Sequence, residues 1–269
     1  MKRYTYFIQF FMVCFIFFNH TLEGQIQDPI TNGFDDVEFA STLAKWGYHD
    51  LADIVSQRII HSKTLNEEKR ITGSMLQCSL LQIQGDSSSD PLQKEKFYKE
   101  ALSCYRSLES SARGIQKLQL QMEISNVTLN QAYSFLQEAE ELEEEKKDLM
   151  MDKAYALLKD ARTDFQDLKA QTDYAGTNLT AENNTLKEQE RAKAAFIRYQ
   201  SWFGYCRTLY FLGTIGEANA WTECDKQLQA YYWDYDGLEG AYYAILLRGM
   251  IFSERKNYRK AITNYAAVQ

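Results

Sequence analysis

Apolar residues recur every three to four positions along most of the chain, which is the period of an amphipathic α-helix. One such stripe runs over 39–44 and a second one over 52–60. The break between them, at 46–50, contains a glycine and predicts a tight turn between two antiparallel helices. The helical part of the chain therefore begins with an αα-hairpin.

The same alternation of apolar stripe and polar break predicts four further hairpins. They are expected at about 71–108, 115–171, 186–231 and 238–269, and the hairpin at 115–171 is expected to consist of helices at 115–147 and 150–171. Two polar stretches stand out as loops, GDSSSDP at 85–91 and DYAGTNLTAENNT at 173–185. We predict an all-α fold of stacked antiparallel helical hairpins over 35–269, and a plain irregular helical bundle is the alternative.

The N-terminus has a different pattern. Lys2 and Arg3 precede an almost unbroken apolar run at 6–18. A membrane span needs about 20 such residues, so the run is short, and the small Gly24 suits the position before a signal-peptidase cut. We predict a signal peptide over 1–24, with a buried N-terminal helix and an uncleaved anchor as the alternatives.

The segment after the predicted signal peptide is polar. Residues 25–34 contain Pro29 and Gly33 and predict a linker. Cleavage before this linker predicts an exported protein of the periplasm or cell envelope, or a secreted one, with no stable membrane insertion after cleavage.

Composition excludes several classes of protein. Lys and Arg number 30 against 37 Asp and Glu, a net charge of −7, which argues against a nucleic-acid partner because that would need a basic face. Two prolines and 13 glycines are too few for a sandwich or barrel. The sequence also lacks a P-loop, G-x-G-x-x-G, G-x-S-x-G and C-x-x-C. We therefore expect no enzyme activity, no cofactor and no metal site.

The last hairpin carries a recognisable spacing. Gly249 and Phe252 are followed by Tyr258, Ala261 and Tyr265. Together they resemble the tetratricopeptide repeat pattern G-x2-Y…A-x3-F. The glycine and the alanine would let the two helices approach closely, and the aromatic residues would fill the seam.

Alanines at equivalent positions recur through the chain. They are Ala52, Ala101, Ala154, Ala218 and Ala261. They lie 43 to 64 residues apart, more than the 34 residues of the tetratricopeptide family, and no hairpin carries the usual proline at the repeat end. The first hairpin, with LAKWGYHDLADIV, also resembles exported bacterial tetratricopeptide proteins. The resemblance implies an α-solenoid whose concave groove binds a peptide or another protein, and it implies no chemistry.

The four cysteines outside the predicted signal peptide fall in two pairs, each across one hairpin. Cys206 and Cys224 form one pair, and Cys78 and Cys104 form the other. In an exported protein both pairs could be disulfides. The alternative is that small cysteines fill tight contacts between helices.

An aromatic block surrounds the last predicted turn. Its candidate ligand-binding residues are Tyr231, Tyr232, Trp233, Tyr235 and Tyr242. Exposed aromatic residues beside acids could stack on sugars or anchor a peptide, whereas aromatic residues at helical spacing are more often part of a core.

The final helix offers no polar cap. It ends at Ala266-Ala267-Val268-Gln269, and a solenoid needs a polar terminal face, so we expect a truncated chain, self-association through this helix, or a short helix that frays. The function expected overall is a non-catalytic protein-interaction scaffold of the cell envelope. The alternatives are a glycan- or peptidoglycan-binding module that uses 231–243, or the N-terminal arm of a longer protein.

Overall fold

A computed structural model describes residues 36–178 and 185–268. In these ranges the chain forms ten helices and no strand. The helices are α1 (Asp36–Lys45), α2 (His49–His61), α3 (Glu67–Ser87), α4 (Pro91–Leu108), α5 (Gly114–Ala139), α6 (Glu144–Asn178), α7 (Thr185–Thr214), α8 (Ala220–Asp234), α9 (Glu239–Glu254) and α10 (Tyr258–Ala266). The prediction of an all-α fold is confirmed. The predicted signal peptide and nearly all of the predicted linker lie outside the described residues.

The helices pair as five consecutive hairpins. Each helix packs extensively on the next one along the chain, and each odd-numbered helix also packs on the next odd-numbered helix, from α1 to α9. The hairpins therefore pack in sequence order, with their first helices side by side. The superhelical solenoid that the tetratricopeptide resemblance implies stays a prediction.

Local sequence explains where the helices of the second hairpin begin. The Asn66 side chain accepts a hydrogen bond from the Lys69 N–H at 2.9 Å, and Asp90 caps α4 in the same way through the Leu92 N–H at 3.0 Å. Pro91 occupies the first turn of α4, where its missing N–H costs nothing.

Three predicted boundaries differ from the structure. The loop expected at 85–91 is shorter in the structure, because α3 continues to Ser87. Gly85 lies within this helix and packs against the Tyr98 ring. The loop expected at 173–185 is helical up to Asn178, and α7 begins at Thr185. The long helix expected over 115–147 ends at Ala139, where a run of glutamates at 138–145 disfavours a continuous helix by charge repulsion.

Small residues allow close packing both within and between hairpins. A Cβ atom added to Gly249 would lie 2.5 Å from the Tyr265 ring, within the last hairpin. A Cβ added to Gly204 of α7 would lie 2.5 Å from the ring of Phe165 on α6, between the third and fourth hairpins. Such distances leave no room for a side chain, so the glycines set the spacing of these helices.

Ion pairs also join consecutive hairpins. Arg162 of α6 contacts Glu217, which follows α7, at 2.6 Å, and Arg248 of α9 contacts Asp225 of α8 at 2.6 Å. Both pairs are largely shielded from solvent, which weakens screening and fixes how one hairpin meets the next.

Candidate functional site

The first helices of three consecutive hairpins, α3, α5 and α7, lie side by side with α5 in the middle. Their N-terminal parts are joined by contacts of Glu68 in α3 with Lys193 in α7 and Gln116 in α5. Their C-terminal parts are joined by interactions of Arg207 in α7 with Asp86 in α3 and Tyr133 in α5. The three helices therefore run in the same direction. We call the region where α3 and α7 flank the partly buried polar face of α5 the inner cleft.

The N-terminal end of the inner cleft is bridged by an ion pair. Lys193 of α7 contacts Glu68 of α3, with Nζ and Oε1 3.8 Å apart. Below this pair, the Gln116 side chain of α5 donates a hydrogen bond to the Glu68 carbonyl oxygen at 3.0 Å. Both charged side chains are more than half exposed, so this bridge is weak and opens easily.

The C-terminal end holds a more buried cluster. The Tyr98 hydroxyl of α4 donates to Asp86 Oδ1 of α3 at 2.6 Å. Arg207 of α7 acts electrostatically on both Asp86 and Tyr133 of α5. The ring of Tyr133 packs on Phe211 of α7 with centroids 5.2 Å apart. This cluster therefore ties three hairpins together at one point.

Burial changes the titration of the cluster. It raises the pKa of Asp86, against the lowering effects of the Tyr98 hydrogen bond and of the positive charges of Lys94 and Arg207. Burial also lowers the pKa of Arg207 to about 10, against the opposing effects of Tyr133 and Asp86. Two cations, Lys94 and Arg207, thus act on the Asp86 carboxyl group, and Glu140 acts on Tyr133 in the same cluster.

Between the two ends, the face of α5 that meets the cleft is polar. Its residues recur every three or four positions, so they lie on one side of the helix. They are Gln116, Gln119, Glu123, Asn126, Asn130, Ser134 and Gln137, of which the first six are partly buried and the last is exposed. Solvated helix faces usually carry Lys and Glu, but α5 contains one lysine and seven asparagines or glutamines. We call this row the amide stripe.

The cleft walls continue this polar character. On α7, Gln200 lies midway between Lys193 and Arg207 at seven-residue spacing and is 8% exposed. On α3, Gln82 lies fourteen residues after Glu68, on the same side of the helix. Burial raises the pKa of Glu123 to about 7, against a lowering hydrogen bond from Asn126.

Hydrogen-bonding groups make up most of the inner cleft. Within 36–178 and 185–268, no group of three or more His, Cys, Asp or Glu side chains is arranged to hold a metal ion. The functional groups that line the cleft are amides, hydroxyls and a few charges. They suit the recognition of polar groups.

The predicted aromatic block is divided between core and surface. Tyr231 is fully buried and stacks with Tyr199 and Trp202, with centroids 5.4 and 5.7 Å apart. Tyr235 is half-buried, and its hydroxyl accepts a hydrogen bond from Arg198 at 3.0 Å. These two residues hold α7 and α8 together and are not available to a ligand.

The remaining residues of the block lie nearer to solvent. Trp233 is 69% exposed, and its ring packs edge-on against the ring of the half-buried Tyr232, with the ring centroids 5.5 Å apart. Tyr242 is exposed on α9, and Leu238 is exposed in the turn before it. The candidate ligand surface predicted at 231–243 therefore reduces to the exposed residues Trp233, Leu238 and Tyr242 beside the half-buried Tyr232.

Arg198 was not singled out by the sequence pattern. The Arg198 guanidinium donates to Asp173 and to Asp234, and it lies 5.3 Å from the centre of the Trp202 ring. Lys169 Nζ lies 4.3 Å from the same ring centre. This network joins α6, α7 and α8, and it explains why α6 continues as a helix past the predicted loop start at 173.

The two cysteine pairs differ. Cys78 of α3 and Cys104 of α4 form a disulfide, with Cα atoms 5.5 Å apart. The disulfide considered for Cys206 and Cys224 is absent from the structure, where both residues are buried free thiols. The Cys224 thiol donates to the Cys206 carbonyl oxygen at 3.0 Å, so it points at the backbone of α7 and fills a helix contact.

The residues expected to pack the seam of the last hairpin are mostly buried. Phe252 and Ala261 are buried, and the Tyr265 ring covers Gly249. Tyr258 is the exception, since it is 61% exposed at the start of α10. Ala218 also departs from the predicted pattern. It is exposed in the turn between α7 and α8, whereas Ala220 and Cys224 of α8 are small buried residues of that hairpin.

Sequence reasoning missed the inner cleft, although the amides of α5 at helical spacing were a visible clue. Comparison of the chain with protein-family models, with curated proteins and with solved structures gives no match. No helix among the described residues is long and apolar enough to cross a membrane.

Proposed function

We propose that this protein is a non-catalytic scaffold of the cell envelope that binds a peptide or protein partner in the inner cleft. One observation carries the proposal. Three parallel helices from consecutive hairpins present partly buried polar side chains to a shared cleft, which is the surface that stacked helical hairpins offer to a partner. The tetratricopeptide-like packing around Gly249 and Ala261 supports the same function.

The proposed location rests on two independent observations. The basic and apolar N-terminal pattern is typical of a signal peptide. The Cys78–Cys104 disulfide supports export, because disulfides persist in oxidising compartments. N-terminal sequencing of the native protein tests this part, and a cytosolic species that retains Met1 would contradict it.

Site-specific photo-cross-linking tests the partner-binding function. A benzoylphenylalanine at Gln82 in the cleft should give adducts of discrete mass in the source cell. The same group at Gln229, an exposed amide of α8, serves as the matched control and should give none. The same adducts from both positions, or no adduct from Gln82, would contradict the proposal.

A second candidate function is supported by the exposed patch of Trp233, Leu238 and Tyr242. Exposed aromatic side chains stack on sugar rings, so this patch would bind a glycan or peptidoglycan fragment. Saturable binding of soluble peptidoglycan fragments that Trp233→Ala abolishes, with helicity unchanged, would favour this function over the scaffold.

A further inference from the structure

We propose that the outer face of α2 is a self-association surface, on which a second copy of this chain binds with its own α2 antiparallel to the first. We call this face, formed by Leu51, Ile54, Arg58 and His61, the α2 stripe. It belongs to the second helix of the first hairpin and lies outside the inner cleft. The inference therefore goes beyond the proposed partner binding and does not depend on it.

The N-terminal half of the α2 stripe is more apolar than a solvated helix face. Leu51 and Ile54 are each at least half exposed, and their spacing of three residues places them on one side of the helix. The turn before α2 adds Trp46 and Tyr48, which are also more than half exposed. Four large apolar side chains within nine residues are thus exposed together, as is typical of an interaction surface.

The opposite face of α2 already serves the fold. Ala52, Ser56 and Ile59 are buried there, where α2 packs on α1 and α3. Contacts within the chain therefore account for the buried face of the helix. They do not account for the exposed leucine and isoleucine, which a second copy would cover.

Charge is divided along α2 in a way that fits an antiparallel copy. Asp50 lies four residues before Ile54, and Arg58 lies four residues after it. In an antiparallel pair centred on Ile54, Asp50 of each copy lies opposite Arg58 of the other copy. A parallel pair would place like charges side by side. The charges therefore favour a twofold symmetric dimer, whose surface is complementary to itself.

Contacts within the chain compete weakly for these charges. Asp53, the neighbouring acid of α2, accepts a hydrogen bond from Gln77 of α3 at 2.9 Å, so it belongs to the contact between hairpins. Arg58 lies 3.8 Å from Asp36 of α1, and the Arg58 side chain is 77% exposed. Such an exposed ion pair is weak, so Arg58 can exchange it for Asp50 of the second copy.

The acidic end of α2 also has room for a side chain of the second copy. A shallow depression of about 250 Å³ is lined by residues 47–51. In the antiparallel pair, this depression faces the C-terminal end of the other α2. It would receive the Arg58 side chain of the second copy beside Asp50.

The size of the surface sets the expected strength of the dimer. One helix face and one turn offer less than the roughly 800 Å² per partner of a standard interface, so we expect a dissociation constant of about 10 µM. Sedimentation velocity measures it on the full chain, with the N-terminus that the source cell leaves on it. The sedimentation coefficient should rise from that of a monomer to that of a dimer between about 1 and 100 µM.

A matched pair of substitutions locates the surface. Ile54→Asp should weaken the dimer at least tenfold, because it buries a charge at the centre of the contact. Ile262→Asp makes the same change on α10, where the isoleucine is 66% exposed against 63% for Ile54, and it should dimerise as the parent does. Circular dichroism and urea unfolding establish that both variants keep the fold of the parent.

Exchange of charges tests the antiparallel geometry. Asp50→Arg and Arg58→Asp each bring like charges together when the variant pairs with itself, so each variant alone should dimerise at least tenfold more weakly than the parent. Mixed in equal amounts, the two variants should form a heterodimer, because opposite charges then meet at both ends. A role of these residues within a single chain does not predict recovery on mixing.

Three results would overturn the inference: a parent that stays monomeric up to about 100 µM, an Ile54→Asp variant that dimerises as the parent does, or no heterodimer on mixing. Loss of the dimer in Ile262→Asp would also overturn it, because the contact would then lie on the last helix. Binding of a monomeric parent to phosphatidylcholine vesicles, abolished by Ile54→Asp, would show that the exposed residues meet a membrane and not a second copy.

Discussion

At the scale of single residues, Gly204 determines how closely α7 approaches α6. Its missing side chain leaves room for the Phe165 ring, which is fully buried and cannot move aside. We expect Gly204→Ala to lower the free energy of unfolding by about 1–3 kcal/mol through overpacking. Urea denaturation measures this change.

A second substitution separates overpacking from other effects of the alanine. Phe165→Leu alone should destabilise the protein by leaving a cavity. In the double variant, the smaller leucine should relieve the clash. The loss of stability in the double variant should therefore be smaller than the sum of the losses in the two single variants. Strict additivity of the two changes would argue against this contact.

Glu123 gives the amide stripe a measurable pH dependence. Burial raises its pKa from 4.5 to about 7, so the folded state holds this proton more tightly than the unfolded state does. Stability is therefore lost as pH rises from about 4.5 to 7, and the loss is complete above that range. Glu123→Gln should remove this penalty and stabilise the protein by about 1–3 kcal/mol at pH 8.5.

Urea midpoints of the parent and Glu123→Gln at several pH values test this prediction. The advantage of the variant should shrink steadily between pH 8.5 and pH 4.5. A difference that stays constant over this range would mean that Glu123 titrates at an ordinary carboxyl pKa, and that it is not enclosed by the cleft.

At the scale of the elements, the disulfide joins the two helices of the second hairpin. Cys78 and Cys104 are 26 residues apart in sequence, and closing a loop of this length stabilises a folded protein by about 2–4 kcal/mol. Reductant should therefore lower the free energy of unfolding by this amount. Cys78→Ser with Cys104→Ser should be less stable and should not respond to reductant.

The other cysteine pair supplies the control. Cys206→Ala with Cys224→Ala keeps the disulfide, so its stability should still fall in reductant as that of the parent does. Mass spectrometry without reduction should find Cys78 linked to Cys104 and two free thiols that react only after unfolding. A Cys206–Cys224 link would contradict the structure.

Helical periodicity was sufficient to predict the five hairpins, because each helix buries one apolar stripe. The ends of the helices were predicted less well where tertiary contacts extend them. Gly85 and Asp86 look like the start of a loop, but packing on Tyr98 and its hydrogen bond keep them helical. Asp173 similarly stays helical, and its pairing with Arg198 of the next helix is not visible in the local sequence.

At the scale of the whole molecule, the inner cleft depends on three helices that are far apart in sequence. Glu68 and Lys193 are 125 residues apart, and Asp86 and Arg207 are 121 apart. No local pattern links these residues. The sequence alone therefore favoured the aromatic block at 231–243 as a ligand surface, and that block proves to be divided between core and surface.

The proposed scaffold function depends on one geometric claim, that α3 and α7 flank α5 and face each other across the cleft. Spin labels at Glu68 and Lys193 test it by pulsed electron paramagnetic resonance. Both positions are well exposed, and Cys206→Ala with Cys224→Ala leaves no other reactive thiol outside the predicted signal peptide. Two helices on either side of a third have axes about 16–20 Å apart, and the Glu68 and Lys193 side chains point toward each other and are 3.8 Å apart, so we expect a narrow distribution centred at or below about 20 Å. A distribution centred beyond about 30 Å, the length of a 20-residue helix, would show that the three helices do not enclose a cleft and would contradict the account.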